Sequence, residues 1–256
     1  MAFLTAYHTD KGIKKQTNQD ALLLKSASTP KGQVGLFIIC DGMGGLTQGE
    51  LASATVVGHL SKWFDHELPG LLEQETPETE LTARLERAIG EINQKILTYG
   101  EGSNVQLGTT LTALLVVYSS YILVQIGDSR AYRLHADTIT RLTKDQTLVQ
   151  REFEKGNITE DQARVDPRRN VLLQCVGATK ELKPVISTGA VESGSGFLLC
   201  SDGFYHEMTD GEIVASLNPE IITSEDAMQN TVKDLVEKVK TRKEKDNISV
   251  IFTHVT

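Results

Sequence analysis

The 256-residue sequence has no long apolar run and no surplus of positive charge. Its longest uninterrupted apolar segments, residues 36–40 and 114–118, are far shorter than the roughly 20 residues that a membrane-spanning helix requires. The 26 basic residues are outnumbered by 34 acidic ones, so the surface offers no positive field for a nucleic-acid backbone. The N-terminus also lacks the pattern of a secretory signal. We therefore expect a cytoplasmic protein that binds neither membranes nor nucleic acid.

Cysteine is scarce as well, with only Cys40, Cys175 and Cys200 in the chain. Three cysteines cannot all pair with one another, and none has the CxxC spacing that is typical of zinc sites. We predict buried free thiols in a reducing compartment. A catalytic Cys–His pair is the alternative, but no basic residues near these positions would stabilise a thiolate.

What the sequence does contain is the composition of a packed globular protein, 39% hydrophobic and 23% charged, which excludes disordered and fibrous classes. The length fits one large domain or two small ones sharing a core, and we predict a single domain over residues 1–256. Eight apolar segments bounded by turn residues are strand-like: 3–8, 21–24, 34–40, 109–118, 121–126, 185–191, 197–200 and 248–255. Because only two residues separate the fourth from the fifth, these two form an antiparallel hairpin and not a parallel crossover.

Three other segments, 51–64, 81–96 and 228–239, have apolar residues at every third or fourth position, as in amphipathic helices. Helices beside many antiparallel strands predict an α+β protein whose sheets are covered by helices. Residues 144–170 are polar and contain few apolar anchors. We call this segment the flap and expect a mobile subdomain, either a functional lid or a disordered connector.

Five aspartates lie at the ends of strand-like segments: Asp20, Asp41, Asp128, Asp202 and Asp246. Aspartate is a poor strand former and is costly to bury without a partner. A plain turn explains any one of them, since Asp-Gly is a frequent turn signal, but five together favour a shared site. No His or Cys accompanies them at ligand spacing, so the oxygen ligands suit Mg²⁺ or Mn²⁺ better than Zn²⁺. A two-metal centre of this kind favours phosphoester hydrolysis.

Six short motifs make the interpretation specific. They are Gly12-x-x-Lys15-x-x-Asn18-Gln19-Asp20, Asp41-Gly42-Met43-Gly44-Gly45, Gly108-Thr109-Thr110, Gly127-Asp128-Ser129-Arg130, Ser201-Asp202-Gly203 and Asp246-Asn247-Ile248-Ser249. In this order they resemble the bacterial PP2C-type (PPM) metal-dependent Ser/Thr protein phosphatases, and the similarity covers residues 5–254. The resemblance implies an α-β-β-α four-layer sandwich, in which two antiparallel sheets flanked by helices hold a binuclear Mn²⁺/Mg²⁺ centre at one edge.

The resemblance also implies roles for the metal ligands. Asp41 corresponds to the carboxylate that bridges the two metals in the family. Asp202 and Asp246 correspond to ligands of the first metal, and the carbonyl of Gly42 contacts the second. Asp128 corresponds to a ligand of a third, weaker metal that it shares with the Asp202 position.

Other positions match the family's catalytic and substrate-binding groups. Asp20 corresponds to a carboxylate that binds metal-bound water, and the flap corresponds to a segment that influences substrate choice. At Lys15 the family usually has an arginine that binds the substrate phosphate. Because lysine is a point charge and not a planar fork, we expect Lys15 to attract the phosphate but to orient it loosely; a solvated surface cation is the alternative.

Three features have no settled role in the sequence. Some family members have a histidine near the Asp-Gly motif as general acid, whereas this chain has Met43, and the role of His206 is open. We interpret Arg130 as part of a structural ion pair. The flap arginines either form a solvated face or attract acidic phosphopeptides: Arg164, Arg168 and Arg169.

The leading hypothesis is hydrolysis of phosphoserine and phosphothreonine in proteins by a metal-activated water, with two Mn²⁺ or Mg²⁺ ions and a third ion as an option. The expected partners are phosphorylated proteins, a Ser/Thr kinase or its targets, and the expected state is a monomer. One alternative is a catalytically weak or silent phosphoprotein-binding module; another is a hydrolase of small phosphorylated metabolites. Retention of Asp41, Asp202 and Asp246 favours an enzyme, because a binding module has no need of unpaired buried carboxylates.

Overall fold

The structure, a computed structural model, describes residues 2–44, 48–219, 221–222 and 224–256. Gly45 of the Asp41–Gly45 motif lies outside them. Within these ranges the chain forms twelve strands and eight helices. The strands are β1 (Phe3–Asp10), β2 (Ala21–Thr29), β3 (Gly32–Cys40), β4 (Gly42–Gly44), β5 (Leu107–Thr109), β6 (Leu111–Val117), β7 (Ser120–Ile126), β8 (Arg130–His135), β9 (Thr138–Arg141), β10 (Val185–Ala190), β11 (Gly196–Cys200) and β12 (Ile248–Val255). The helices are α1 (Gln48–His66), α2 (Leu68–Glu73), α3 (Glu78–Ser103), α4 (Leu148–Glu154), α5 (Glu160–Val165), α6 (Asp202–Tyr205), α7 (Asp210–Leu217) and α8 (Glu225–Thr241).

Ten of the strands form two five-stranded sheets. The strand order is β1-β12-β11-β8-β9 in the first sheet and β10-β7-β6-β3-β2 in the second, while β4 and β5 pair with each other. All these pairs are antiparallel. The predicted hairpin is confirmed as the pair β6 and β7.

The alternation of side chains along the strands divides the core into layers. In β3, Leu36 and Ile38 pack with α1 and α3, whereas Phe37 and Ile39 pack between the two sheets. Strand β11 alternates in the same way, with one face against α6–α8 and the other against the second sheet. The predicted α-β-β-α sandwich is therefore confirmed.

The three predicted amphipathic helices are confirmed as α1, α3 and α8. Helix α8 begins at Glu225, after Ser224, whose hydroxyl accepts a hydrogen bond from the amide of Ala227. This N-cap satisfies a backbone donor that has no partner within the helix. No helix in the described part of the chain combines the length and the apolar character needed to cross a membrane.

Several elements differ from the predicted ones. The predicted strand 109–118 is interrupted at Thr110, so that β5 and β6 are separate strands. Strands β8 and β9 were not predicted, since they mix polar and apolar residues. The flap contains the short helices α4 and α5, which have too few turns to show a helical period. The three cysteines are free and buried, as predicted.

Candidate active site

The five predicted aspartates come from the ends of strands in both sheets. Asp20 precedes β2, Asp41 follows β3 and Asp128 follows β7 in one sheet, while Asp202 follows β11 and Asp246 precedes β12 in the other. Burial raises the pKa of Asp41, and the negative charges of the other four aspartates raise it further. The structure thus brings all five to one edge of the sandwich.

The electrostatics of this cluster call for cations. Burial is also the main cause that raises the pKa of Asp20 to about 6 and that of Asp128 to about 7. Burial and the neighbouring carboxylates hold the pKa of Asp202 well above its usual range. Carboxylates that are buried together destabilise one another's charged forms, so an ionised cluster requires positive charge from elsewhere.

The donors present fit divalent metal ions. Oδ1 of Asp20 and Oδ1 of Asp202 are buried and have no hydrogen-bond partner in the described part of the chain. Among the described residues, no group of three or more His, Cys, Asp or Glu side chains is arranged so that it could hold a metal ion by itself. Carboxylate, backbone carbonyl and water oxygens are the ligands that Mg²⁺ and Mn²⁺ prefer.

Lys15 supplies one positive charge to the cluster. Its Nζ lies 2.6 Å from Oδ1 of Asp246. Partial burial opposes the charged form of Lys15, but Asp246, Asp41 and Asp202 raise its pKa above the usual value. The lysine that the sequence marked for phosphate binding therefore lies among the predicted metal ligands.

Two threonines fix the backbone of Asp41. The amide of Asp41 donates to Oγ1 of Thr110, and Oγ1 of Thr109 donates to the carbonyl oxygen of Asp41, both over 2.9 Å. The amide of Thr110 also donates to that carbonyl. This explains both the Gly108-Thr109-Thr110 motif and the interruption between β5 and β6.

Gly42 lies in a place where no side chain fits. A Cβ atom there would lie 2.2 Å from the carbonyl oxygen of Gly49 and 2.5 Å from that of Gln19. The first turn of α1 therefore packs directly on the backbone that follows Asp41. Gly49 has a role in this contact that the sequence analysis missed, since it stands outside the recognised motifs.

Asp20 is held from the opposite sheet. Oγ of Ser201 donates to Oδ2 of Asp20 over 3.0 Å and accepts a hydrogen bond from the amide of Ser249. Because Ser201 directly precedes Asp202, this contact fixes the position of Asp20 relative to the predicted ligands of the first sheet.

Asn247 shapes the loop that carries Lys15. Its Nδ2 donates to the carbonyl oxygens of Lys11 and Thr17, and its Oδ1 accepts from the amide of Gln19, over 2.9–3.0 Å. Gly12 adopts φ +72°, and a Cβ there would lie 2.1 Å from the carbonyl oxygen of Asp246. The first and last motifs of the chain therefore pack against each other and are joined by hydrogen bonds.

Glu244 is a buried carboxylate that the sequence analysis did not single out. It is 7% exposed, and its Oε1 accepts hydrogen bonds from the amides of Lys245 and Asp246 over 2.5 and 2.9 Å. Glu244 therefore holds the turn that places Asp246. Nothing in its sequence position signals this, because the contact is made to backbone atoms.

Arg130 forms the predicted structural ion pair. Its Nε and Nη2 donate to the two carboxylate oxygens of Asp145 over 2.9 and 2.6 Å, and its guanidinium carbon lies 3.5 Å from the centre of the Tyr205 ring. The next flap residue, Gln146, exchanges two hydrogen bonds with Gly127. The first residues of the flap are thus tied to the loop that carries Asp128.

His206 lies beside the aspartate cluster, with its Nδ1 4.0 Å from Oδ2 of Asp202. Burial and the positive charges of Arg169 and Arg130 lower its pKa to about 4. The imidazole is therefore neutral at pH 7 and does not form an ion pair with Asp202.

The flap arginines differ in their surroundings. Arg168 donates from Nη2 to Asp166 over 2.7 Å, whereas Nη1 of Arg169 donates to the carbonyl oxygen of Arg164 over 3.3 Å. Arg169 also lines a groove of about 590 Å³ that contains Lys15 and Asp246. The end of the flap therefore borders the candidate active site.

The sequence pattern of the protein phosphatase 2C family matches residues 8–246. The chain belongs to this family. A serine/threonine phosphatase stp of Listeria innocua is 30% identical over 249 residues, which are 96% of this chain and 93% of that protein. The structure of a Streptococcus agalactiae serine/threonine phosphatase aligns over the whole of both chains, with a TM-score of 0.86 and 27% identity.

A third relative provides a metal-bound comparison. The catalytic domain of the serine/threonine protein phosphatase PstP, solved in complex with 2 manganese ions, has a TM-score of 0.81 and 29% identity, and covers 99% of each chain. The full PstP of Mycobacterium tuberculosis is longer, and this chain spans 40% of it. The predicted family, fold and enzyme class are confirmed: the chain is a Ser/Thr protein phosphatase of the 2C type.

Proposed function

We propose that this chain removes phosphate from phosphoserine and phosphothreonine in proteins at a two-metal centre on the edge of the sandwich. The observation that carries the proposal is the cluster of five aspartates in a protein of the phosphatase 2C family. Burial and the charges of the other four aspartates raise the pKa of Asp41. Buried carboxylates in this number are a large electrostatic cost unless cations bind them.

The proposed ligands are those that the resemblance to the PP2C family implies. Asp41, whose backbone is held by Thr109 and Thr110, would be a ligand of both Mn²⁺ or Mg²⁺ ions. Asp202 and Asp246 would hold the first ion and the carbonyl of Gly42 the second, while Asp128 would serve a weaker third site. Bound ions would supply Lewis-acid activation of the phosphate and of the attacking water.

Lys15 and Asp20 act on substrate and water in this proposal. The Lys15 ammonium, which contacts Asp246 in the structure, attracts the substrate phosphate to the metal ligands. The Asp20 carboxylate has one oxygen held by Ser201 and the other without a partner among the described residues. In this proposal that oxygen would accept a hydrogen bond from water at the centre.

The wider assignments belong to the same proposal. We infer a single domain over residues 1–256 in which the flap, residues 144–170, contacts the protein substrate. The chain acts as a monomer on the targets of a Ser/Thr kinase, or on the kinase itself. A cytoplasmic location is supported by the three free cysteines.

The test is hydrolysis of p-nitrophenyl phosphate and of a phosphothreonine peptide with Mn²⁺, with Mg²⁺ and with EDTA. We expect turnover that requires metal and that is lost in Asp202→Ala but kept in Asp137→Ala, a control at the exposed turn between β8 and β9. Absence of turnover in every condition would instead support a silent phosphoprotein-binding module. Faster hydrolysis of sugar phosphates than of the peptide would support a metabolite phosphatase.

A further inference from the structure

Three separate segments supply the charged residues that line the groove beside the candidate active site. Lys14 and Lys15 come from the loop after β1, Arg169 from the end of the flap, and Lys245 and Asp246 from the turn before β12. Its volume of about 590 Å³ exceeds what a single phosphate occupies. The groove therefore has room for residues that flank a phosphorylated side chain.

The two carboxylates that line the groove already have ionic or hydrogen-bond partners. Asp246 contacts Lys15, and Oε1 of Glu244, which also lines the groove, accepts two backbone hydrogen bonds. Lys14, Arg169 and Lys245 are exposed, and none of them forms an ion pair with another described residue. Three unneutralised cations thus face a groove in a protein whose net charge is −8.

These three cations, which we call the positive rim, lie next to the proposed site of reaction. Lys14 directly precedes Lys15, and Arg169 lines the same groove as Lys15 and Asp246. A substrate phosphate at Lys15 would leave the other three cations to interact with groups on either side of it. Acidic groups gain most from such a rim, since opposite charges steer and orient a bound peptide.

We propose that Lys14, Arg169 and Lys245 form a subsite for a second anionic group of the substrate, next to the phosphorylated residue. This group is an acidic side chain or a second phosphate. The inference rests on the proposed phosphatase function, and it assigns a substrate preference to the same site. Within the flap it distinguishes Arg169 from Arg168, which is already paired with Asp166.

The test compares phosphothreonine peptides that differ at one flanking position at a time. Each position from three residues before to three after the phosphothreonine carries Glu, Gln or phosphoserine. At low ionic strength we expect at least one Glu peptide to have a kcat/KM about 3-fold or more above its Gln counterpart, a gain that 0.5 M salt removes. The phosphoserine arm shows whether a second phosphate is preferred to a carboxylate.

Variants then identify the residues that cause the preference for Glu over Gln. Lys14→Ala, Arg169→Ala and Lys245→Ala are each expected to lower the Glu-to-Gln ratio, and the triple variant to bring it to about 1. Arg168→Ala is the matched control and keeps the wild-type ratio. Fluorescence anisotropy of labelled peptides gives the same comparison as a ratio of Kd values and does not depend on turnover.

Each result has a distinct meaning. A ratio near 1 in the wild-type protein, with metal-dependent hydrolysis of p-nitrophenyl phosphate intact, overturns the subsite but leaves the phosphatase function standing. A Glu-to-Gln ratio that stays at the wild-type value in the triple variant also overturns the subsite. If neither p-nitrophenyl phosphate nor any peptide is hydrolysed, the proposed function fails, and the anisotropy ratio still decides whether the rim selects anionic peptides.

Discussion

Lys15 illustrates how a single residue sets the charge balance of the site. Its ammonium lies among carboxylates that are otherwise mutually repulsive, and Asp246, Asp41 and Asp202 all raise its pKa. Because a lysine ammonium is a compact point charge, it can attract a phosphate without the two parallel hydrogen bonds that an arginine provides.

Replacing Lys15 tests this role. We expect Lys15→Ala to raise KM or lower kcat/KM for a phosphothreonine peptide by about 10-fold, the effect of losing one charge-assisted contact. The affinity for Mn²⁺, measured by titration calorimetry, should not fall, since the variant removes a cation that competes for Asp246. Lys15→Arg is the conservative control and should keep most of the activity. Unchanged peptide kinetics in Lys15→Ala would assign Lys15 to the solvated surface.

Because the pKa of Asp128 is raised, we expect the stability of the metal-free protein to depend on pH. Its pKa is about 7 in the fold against 3.8 for an unperturbed aspartate. The folded state therefore holds this proton more tightly than the unfolded chain does. Ionising Asp128 therefore destabilises the folded state. This free-energy cost is small below pH 4, grows from pH 4 to pH 7 and is complete above pH 7.

Asp128→Asn removes the ionisation and its penalty. In EDTA we expect the variant to gain about 2 kcal/mol or more of unfolding free energy relative to wild type at pH 8, and little at pH 4.5. Urea unfolding at the two pH values measures the difference. Asp137→Asn, at an exposed turn, should show no pH-dependent gain. Equal gains at both pH values for Asp128→Asn would show that ionisation of Asp128 is not costly.

Among the structural elements, the turn before β12 depends on Glu244. Since its carboxylate accepts the amides of Lys245 and Asp246, we expect Glu244→Ala to weaken Mn²⁺ binding about 10-fold, as loss of an outer contact to a metal ligand does. Glu244→Gln keeps an oxygen acceptor and should bind Mn²⁺ nearly as wild type does. Calorimetric titration of both variants, with exposed Glu73→Ala as control, provides the measurement.

The two Glu244 variants separate hydrogen bonding from charge. If Glu244→Gln loses as much Mn²⁺ affinity as Glu244→Ala, the negative charge is what matters and the positioning role is wrong. Wild-type affinity in both variants would show that Asp246 is placed without Glu244.

The elements that the sequence predicted correctly are those with a strong local signal. Apolar segments bounded by turn residues mark β3 and β12, and apolar residues at helical spacing mark α1, α3 and α8. The aspartates were predictable for a similar reason, because each stands directly against such a segment. Strands β8 and β9 mix polar and apolar residues, and the flap helices have too few turns, so neither shows that signal.

The residues that position the site were harder to predict. Glu244, Gly49 and Asn247 act on backbone atoms that are remote in the sequence or invisible to a side-chain pattern. Their roles follow only from packing. The aspartate motifs therefore predict the chemistry, whereas the three-dimensional arrangement is needed to explain its geometry.

For the whole molecule, metal binding and folding stability are linked. The aspartates converge only in the fold, so Mn²⁺ binds the native state in preference to the unfolded chain. At a Mn²⁺ concentration 100 times Kd we expect a gain of about 2.7 kcal/mol in unfolding free energy per site relative to EDTA. Thermal or urea unfolding at pH 7.5 measures it.

A ligand variant provides the control for this gain. Asp41→Asn should lose most of the stabilisation by Mn²⁺, whereas Asp137→Asn should keep it. Identical unfolding in Mn²⁺ and EDTA for the wild-type protein would contradict a metal centre built from residues of both sheets.

The pairing of β1 with β12 has a consequence for joining this chain to other polypeptides. The two strands pair along their full length, from Phe3 opposite Val255 to Asp10 opposite Ile248, and Ala2 and Thr256 exchange backbone hydrogen bonds. Both ends of the described chain therefore leave the molecule side by side, about 25 Å along the strands from the aspartate cluster. A fluorescent protein or an affinity tag attached at either end would leave the groove open, and a short linker between the ends would permit circular permutation.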